Sequence, residues 1–172
     1  MDRRYHLGLG MTGIAGLCLG SGLFPAHAAP QPATLAVASF DYVDTSGEVV
    51  DQTTAHARRL KTFAEDLRHD LGNSGKLRIL SLDCPTPGCS ASNTEPANLI
   101  AAAEKAGAAY LLIGGVHKLS TLIEWSKVEI LDVRTGQVVF DRLLTFRGDD
   151  DESWRRAEQF LAREILTRDT LH

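Results

Sequence analysis

Ala108-Ala109-Tyr110-Leu111-Leu112-Ile113-Gly114-Gly115-Val116 is the stretch that decides the fold. It follows Gly107 and gives way to the polar pair His117-Lys118. A short, unbroken apolar run between such boundaries reads as a strand buried on both faces, which belongs at the centre of a sheet with parallel neighbours. Two weaker runs upstream supply those neighbours. Leu35–Phe40 reads as a first strand and Lys76–Leu82 as a second, with Asp41–Gly47 expected as a polar turn.

The segments between the strands read as helices. Leu60, Phe63, Ala64, Leu67 and Leu71 fall at i, i+3, i+4, i+7 and i+11, a stripe down one helix face. Asp51 or Thr53 is expected to cap its start and Gly72 or Gly75 to stop it. His56 and His69 are expected on its solvated side. Thr94-Glu95-Pro96 opens a second helix with a capping hydroxyl and a first-turn proline, and Leu99, Ile100 and Ala103 form its inner face.

Beyond the central strand the pattern changes. Leu122–Val133 and Val138–Arg147 are longer runs with interspersed charges, joined by the turn Arg134-Thr135-Gly136-Gln137. Asp149, Asp150 and Asp151 are expected to cap a last helix, where carboxylates favour the positive end of the helix dipole. Trp154, Ala157, Leu161 and Ile165 are its buried face. Strand, helix, strand, helix, strand implies parallel pairing with right-handed crossovers, and the last strands form an antiparallel meander. The expected fold is α/β: a five-stranded mixed sheet in the order β-α-β-α-β-β-β-α with three helices.

Residues 1–28 read as a secretory signal. Arg3 and Arg4 form a positive start, Leu7–Phe24 a soft apolar stretch, and Ala26-His27-Ala28 the small-x-small pattern that places cleavage after Ala28. Six glycines dilute the stretch below what a spanning helix wants. The choice between general secretion and twin-arginine export stays open, because Tyr5-His6-Leu7 fits the latter pattern only in part. Removing 28 of the 172 residues leaves 144, with 16 basic and 21 acidic side chains and a net charge of −5. Residues 29–33 read as a short tether and 34–172 as a single α/β domain with no membrane span. The expected location is the periplasm. The mature chain keeps two cysteines, Cys84 and Cys89, around Pro85-Thr86-Pro87-Gly88. In an oxidising compartment such a pair reads as a local disulfide.

Hydrophobic residues make up 44% of the chain, charged residues 23%, and the formal net charge is −4. These values exclude wholesale disorder, and the acidity argues against a nucleic-acid partner, which needs a basic face. No nucleophile elbow or phosphate loop is present. Ligands of open α/β sheets gather beyond the carboxyl ends of parallel strands. Those ends offer Asp41 and Asp44, then Asp83, then His117 and Lys118, a candidate ligand-binding rim with acid/base potential at His117. The plainer reading has turn aspartates bonding their own backbone and His117 and Lys118 solvated, and it is preferred because strand ends are commonly polar. Asp41, Asp44 and His117 lack a patterned metal motif, so neither metal nor cofactor is expected.

Asp44-Thr45-Ser46-Gly47-Glu48, His56-Ala57-Arg58-Arg59-Leu60, Lys118-Leu119-Ser120-Thr121-Leu122-Ile123 and Asp132-Val133-Arg134-Thr135-Gly136 follow one another in a familiar order. Asp151-Glu152-Ser153-Trp154-Arg155-Arg156 is the most specific block. Across nearly all of its mature region the chain resembles a family of small exported bacterial proteins of unknown function. That resemblance carries over no catalytic residues. The element order is similar to the amino-terminal domain of the periplasmic protein TolB and to related curli-secretion and penicillin-binding-protein-activator domains. The implied role is a soluble binding or adaptor domain without catalysis, docking an envelope protein partner through a sheet edge or the meander. The alternative is a small-molecule sensor or enzyme using the rim. Fold alone does not decide between them.

Overall fold

The structure is a computed structural model, and it describes residues 31–84, 88–168 and 171. The leader, its cleavage point and residues 29 and 30 of the tether lie outside the described residues, and Ala33, expected as the last tether residue, begins the first strand. The elements are β1 (Ala33–Val37), β2 (Asp41–Asp44), α1 (Thr53–Asn73), β3 (Leu77–Leu80), α2 (Pro96–Lys105), β4 (Tyr110–Lys118), β5 (Ile123–Asp132), β6 (Val138–Arg147) and α3 (Asp151–Leu166). They build a mixed α/β fold of three helices on one sheet, ordered β3-β1-β4-β5-β6, with β2 also paired to β4.

The apolar run at 108–116 is the axis of this sheet. β4 pairs in parallel with β1 through Leu35–Tyr110 to Val37–Leu112, and in parallel with β2 through Asp41–Gly115 to Asp44–Lys118. The expected single first strand is thus two short ones lying end to end along β4. Asp41–Asp44, expected as part of a turn, is the second of them, which raises the strand count to six. Gly115 makes this pairing possible: a Cβ there would stand 2.8 Å from the Asp41 carbonyl oxygen, so any side chain would push β2 away. β5 and β6 complete the antiparallel meander, with a register shift between Ile130 and Leu131.

Alternation along β4 divides the core. Tyr110, Leu112 and Val116 face α1 and α3, packing with Phe63, Leu67, Leu71, Trp154, Leu161 and Ile165. Leu111 faces the other way, onto Leu99 and Ala103 of α2 with Ala36 and Ala38 of the first strand. α1 and α3 therefore cover one face of the sheet, while the 10-residue α2 covers only part of the other.

The helix starts differ from expectation. Gln52 is the N-cap of α1 and makes no side-chain cap bond, although Asp51 Oδ1 accepts from the Thr53 amide at 2.9 Å. Glu95, not Thr94, is the N-cap residue of α2, and it makes no side-chain cap bond. The three aspartates before α3 divide their labour: Asp150 is the N-cap and accepts from the Ser153 amide at 2.7 Å, Asp151 begins the helix, and Asp149 turns into the protein. Gly148, with φ +102°, allows that turn; a Cβ would meet Ser153 Oγ at 2.3 Å. Cys84 and Cys89 are joined by a disulfide across a Cα separation of 5.9 Å.

Candidate functional site

The five rim residues do not all come together: Asp41 and His117 border one groove, Lys118 turns to the opposite face, and Asp83 pairs with Lys105. Strand alternation puts His117 and Lys118 on opposite faces of β4. Asp41 Oδ2 accepts from the Ser92 amide at 3.0 Å, and its other oxygen takes the Ser92 hydroxyl. Asp44 Oδ1 accepts from the Ser46 amide at 2.8 Å, closing the turn after β2. Asp83 pairs with Lys105 at 2.9 Å on the surface. His117 Nε2 lies 2.8 Å from Thr45 Oγ1, with its ring edge-on to Trp125. Lys118 alone enters the interior, where it is fully buried.

Around Lys118 the structure assembles a polar cluster from four separate stretches. Lys118 Nζ donates to Asp149 Oδ2 at 2.5 Å and to Glu48 Oε2. Asp149 also accepts from His56 Nε2 at 2.9 Å and from Arg59 Nη1 at 2.6 Å. Arg59 Nε donates to Asp151 at 2.8 Å, and Arg58 reaches the same oxygen from the surface at 3.0 Å. His56 is buried, contrary to the expectation that it is solvated. Its position one turn before Leu60 continues the apolar stripe of α1 inward.

Electrostatics follow from this geometry. Burial works against the Lys118 charge, but the hydrogen bonds to Asp149 and Glu48 outweigh it and hold the ammonium above its ordinary range. Burial likewise opposes the Asp149 charge, and the bonds from Lys118 and His56 overcome it, keeping the carboxyl low. Glu124, directly across from Lys118 on β5, is fully buried, and neither carboxyl oxygen has a hydrogen-bond partner. Burial, then the neighbouring Asp149 charge, pushes it up to about 8. The physical sense is plain: two adjacent buried carboxyls cannot both ionise, so Glu124 keeps its proton while Asp149 binds the cations.

His56, Glu124 and Asp149 each offer one ligand atom, all within 4.8 Å of one another. A metal there would compete with groups already in place, because Lys118, Arg59 and His56 occupy both oxygens of Asp149. The Lys118 ammonium and the Arg59 guanidinium already supply positive charge to this cluster. Its consequence is mechanical: the cluster ties α1, the start of α3 and the far end of β4 into one unit.

The opposite face of the same strands is unlike this interior. Val43, Trp125 and Leu143 are exposed there at 50%, 38% and 52%, around a groove floored by Gly115 and rimmed by Asp41, His117 and Lys127. The lack of a side chain at Gly115 leaves the gap between Asp41 and Lys127 in its row. α2 packs on the other end of this face, through Leu99 and Ala103, so these apolar groups stay open.

A family model described as "Protein of unknown function (DUF2380)" matches residues 33–166. The chain belongs to that family. No curated protein sequence matches it. Among solved structures it is similar to TolB from Acinetobacter baumannii, at 18% identity and a TM-score of 0.49, over 82% of this chain and 29% of that one. The chain thus spans under a third of the TolB chain. It is also similar to the LpoB C-terminal domain from Escherichia coli, at 18% identity and a TM-score of 0.49, over 66% of this chain and 81% of that one. A third likeness is to the PelC dodecamer from Paraburkholderia phytofirmans, at 18% identity and a TM-score of 0.49, over 80% and 88% of the two chains. Among the described residues no helix is long and apolar enough to cross a membrane.

Proposed function

We propose that this protein is a periplasmic adaptor that binds a protein partner on the open half of its sheet, without catalysis. The observation that carries the reading is the apolar row of Val43, Trp125 and Leu143 on three different strands, left uncovered by α2. Exposed aromatic and aliphatic groups around a groove, with charges at the rim, are the composition of a protein-docking surface. β6 adds a 10-residue strand at the sheet border whose outer edge can accept a further strand. The leader pattern at residues 1–28 and the Cys84–Cys89 disulfide support delivery to an oxidising compartment.

The test is site-specific photo-crosslinking in the native bacterium, with the crosslinker at Trp125 or, as control, at exposed Glu104 on α2. A single protein adduct at position 125, absent at 104 and lost in Leu143→Asp, is the expected outcome. Equal labelling at both positions, or a protein found intact in the cytoplasm with its leader attached and both thiols reduced, would overturn the reading.

A further inference from the structure

Arg68 holds a half-buried positive charge that forms no ion pair among the described residues. It projects from α1 toward the carboxyl ends of β1 and β3. Its Nη1 donates to Ala64 O at 3.1 Å, and its Nη2 to Val37 O at 3.3 Å and Ala38 O at 3.2 Å. All three acceptors are neutral carbonyls. Buried charges are ordinarily paired, since desolvation penalises an isolated ion, and burial does push the Arg68 guanidinium below its usual range, opposed only by the charge of Glu65. A guanidinium has five N–H groups, and three bonds engage at most three of them. At least two donors remain.

Arg68 lines a cavity of about 220 Å3 together with Ser39, Ser81, Leu82 and the Cys84–Cys89 disulfide. Ser39 follows the end of β1 and Ser81 the end of β3, so two serines line the cavity together with Arg68. The nearby Asp83 carboxylate is turned to Lys105 and bonded to it at 2.9 Å. The space beyond the carboxyl ends of parallel strands is the ligand crevice of open α/β sheets. A planar guanidinium with adjacent hydroxyls is the donor set for an oxyanion. The volume is below the ~300 Å3 at which pockets for drug-sized ligands begin, which limits the occupant to a compact group.

We propose that this cavity binds a small oxyanion, the phosphate or carboxylate group of a soluble metabolite, with Arg68 as its counter-ion and Ser39 and Ser81 as flanking donors. The site shares no lining residue with the apolar groove and stands whether or not that groove docks a protein.

The test uses the oxidised protein and two probes, inorganic phosphate and succinate, each titrated at constant ionic strength against chloride. Calorimetry and thermal unfolding are the readouts. One probe is expected to bind saturably and raise the melting temperature by several degrees, as ligands of the native state do. The probe that saturates at lower concentration identifies the class. Arg68→Gln should weaken that binding about tenfold or more, the scale of losing one charge-assisted contact of about 1.5–3 kcal/mol. Ser81→Ala should weaken it several-fold with an unchanged circular dichroism spectrum, and it keeps the test valid if Arg68→Gln fails to fold. A response to both probes no different from chloride, or undiminished binding in Arg68→Gln and Ser81→Ala, would overturn the proposal.

Discussion

Lys118→Met removes the buried ammonium and keeps most of the apolar stem, so it isolates the charge at the centre of the interior cluster. In the native protein this ammonium is bonded to Asp149 and Glu48. After its loss, Asp149 remains buried and negative but still holds Arg59 at 2.6 Å and His56 at 2.9 Å. Glu48 lies partly at the surface and can rehydrate. Removing one partner of a buried ion pair costs about 3–5 kcal/mol. The surviving partners of Asp149 place this case at the low end, about 3 kcal/mol, which for a domain of this size lowers the melting temperature by roughly 10 °C. Urea unfolding followed by the fluorescence of Trp154, buried beside the cluster, measures it directly. The internal control is Lys105→Ala, which breaks an exposed pair with Asp83 and should change stability by less than about 1 kcal/mol. A loss below about 1 kcal/mol for Lys118→Met, at an unchanged denaturant slope, would refute the idea that this ammonium anchors α3 to β4.

Three further outcomes are expected. Glu124 and Glu158 are pushed up by burial, to about 8 and about 7; because the folded state holds these protons more tightly than the unfolded chain, the stability these two groups contribute is full below the ordinary carboxyl range and is lost as pH rises through these values. Glu124→Gln should therefore flatten the decline of unfolding free energy between about pH 5 and 8, and an unaltered slope in denaturation series would contradict the assignment. Cys84→Ser should cost about 2 kcal/mol, the loop entropy for so short a ring, read as a lower urea midpoint than that of the oxidised parent. Gly115→Ala should cost about 1–3 kcal/mol by forcing β2 off β4, with hydrogen exchange rising at residues 41–44; protection there equal to the parent would show that the close approach is unimportant.

The helices and the meander were legible in the sequence because their signals are local. The stripe from Leu60 to Leu71 and the row Trp154, Ala157, Leu161 and Ile165 are set by a 3.6-residue period, and all but Leu60, which is partly buried, are buried as that period requires. The division of the first strand was not legible, since it depends on Gly115 meeting the backbone of Asp41, 74 positions earlier. The rim residues are dispersed for a different reason. Placing residues at the ends of parallel strands fixes their height but not their face, and His117 and Lys118 part company by the two-residue period. That parity was available: Lys118 lies in step with Tyr110, Leu112 and Val116, and Glu124 in step with Val128 and Ile130. The partners were not, since His56 and Asp149 are 93 positions apart.

Parity also exposes an inversion at the far end of β4 and the near end of β5. Along most of these strands the apolar side chains point to the helices, as in Leu112, Val128 and Ile130. At the far end the order reverses, with Lys118 and Glu124 buried while Val43, Trp125 and Leu143 face outward. Exchanging the two sets would serve stability better, because buried ionisable groups are costly and exposed apolar ones gain nothing. Sequences that depart from the stabilising pattern do so chiefly where function requires it. The inversion is confined to the part of the sheet that α2 leaves uncovered, and the interior cluster stiffens the same strands from behind. A rigid apolar face backed by a fixed polar network is what a pre-organised docking surface needs, since little ordering remains to be done when the partner arrives.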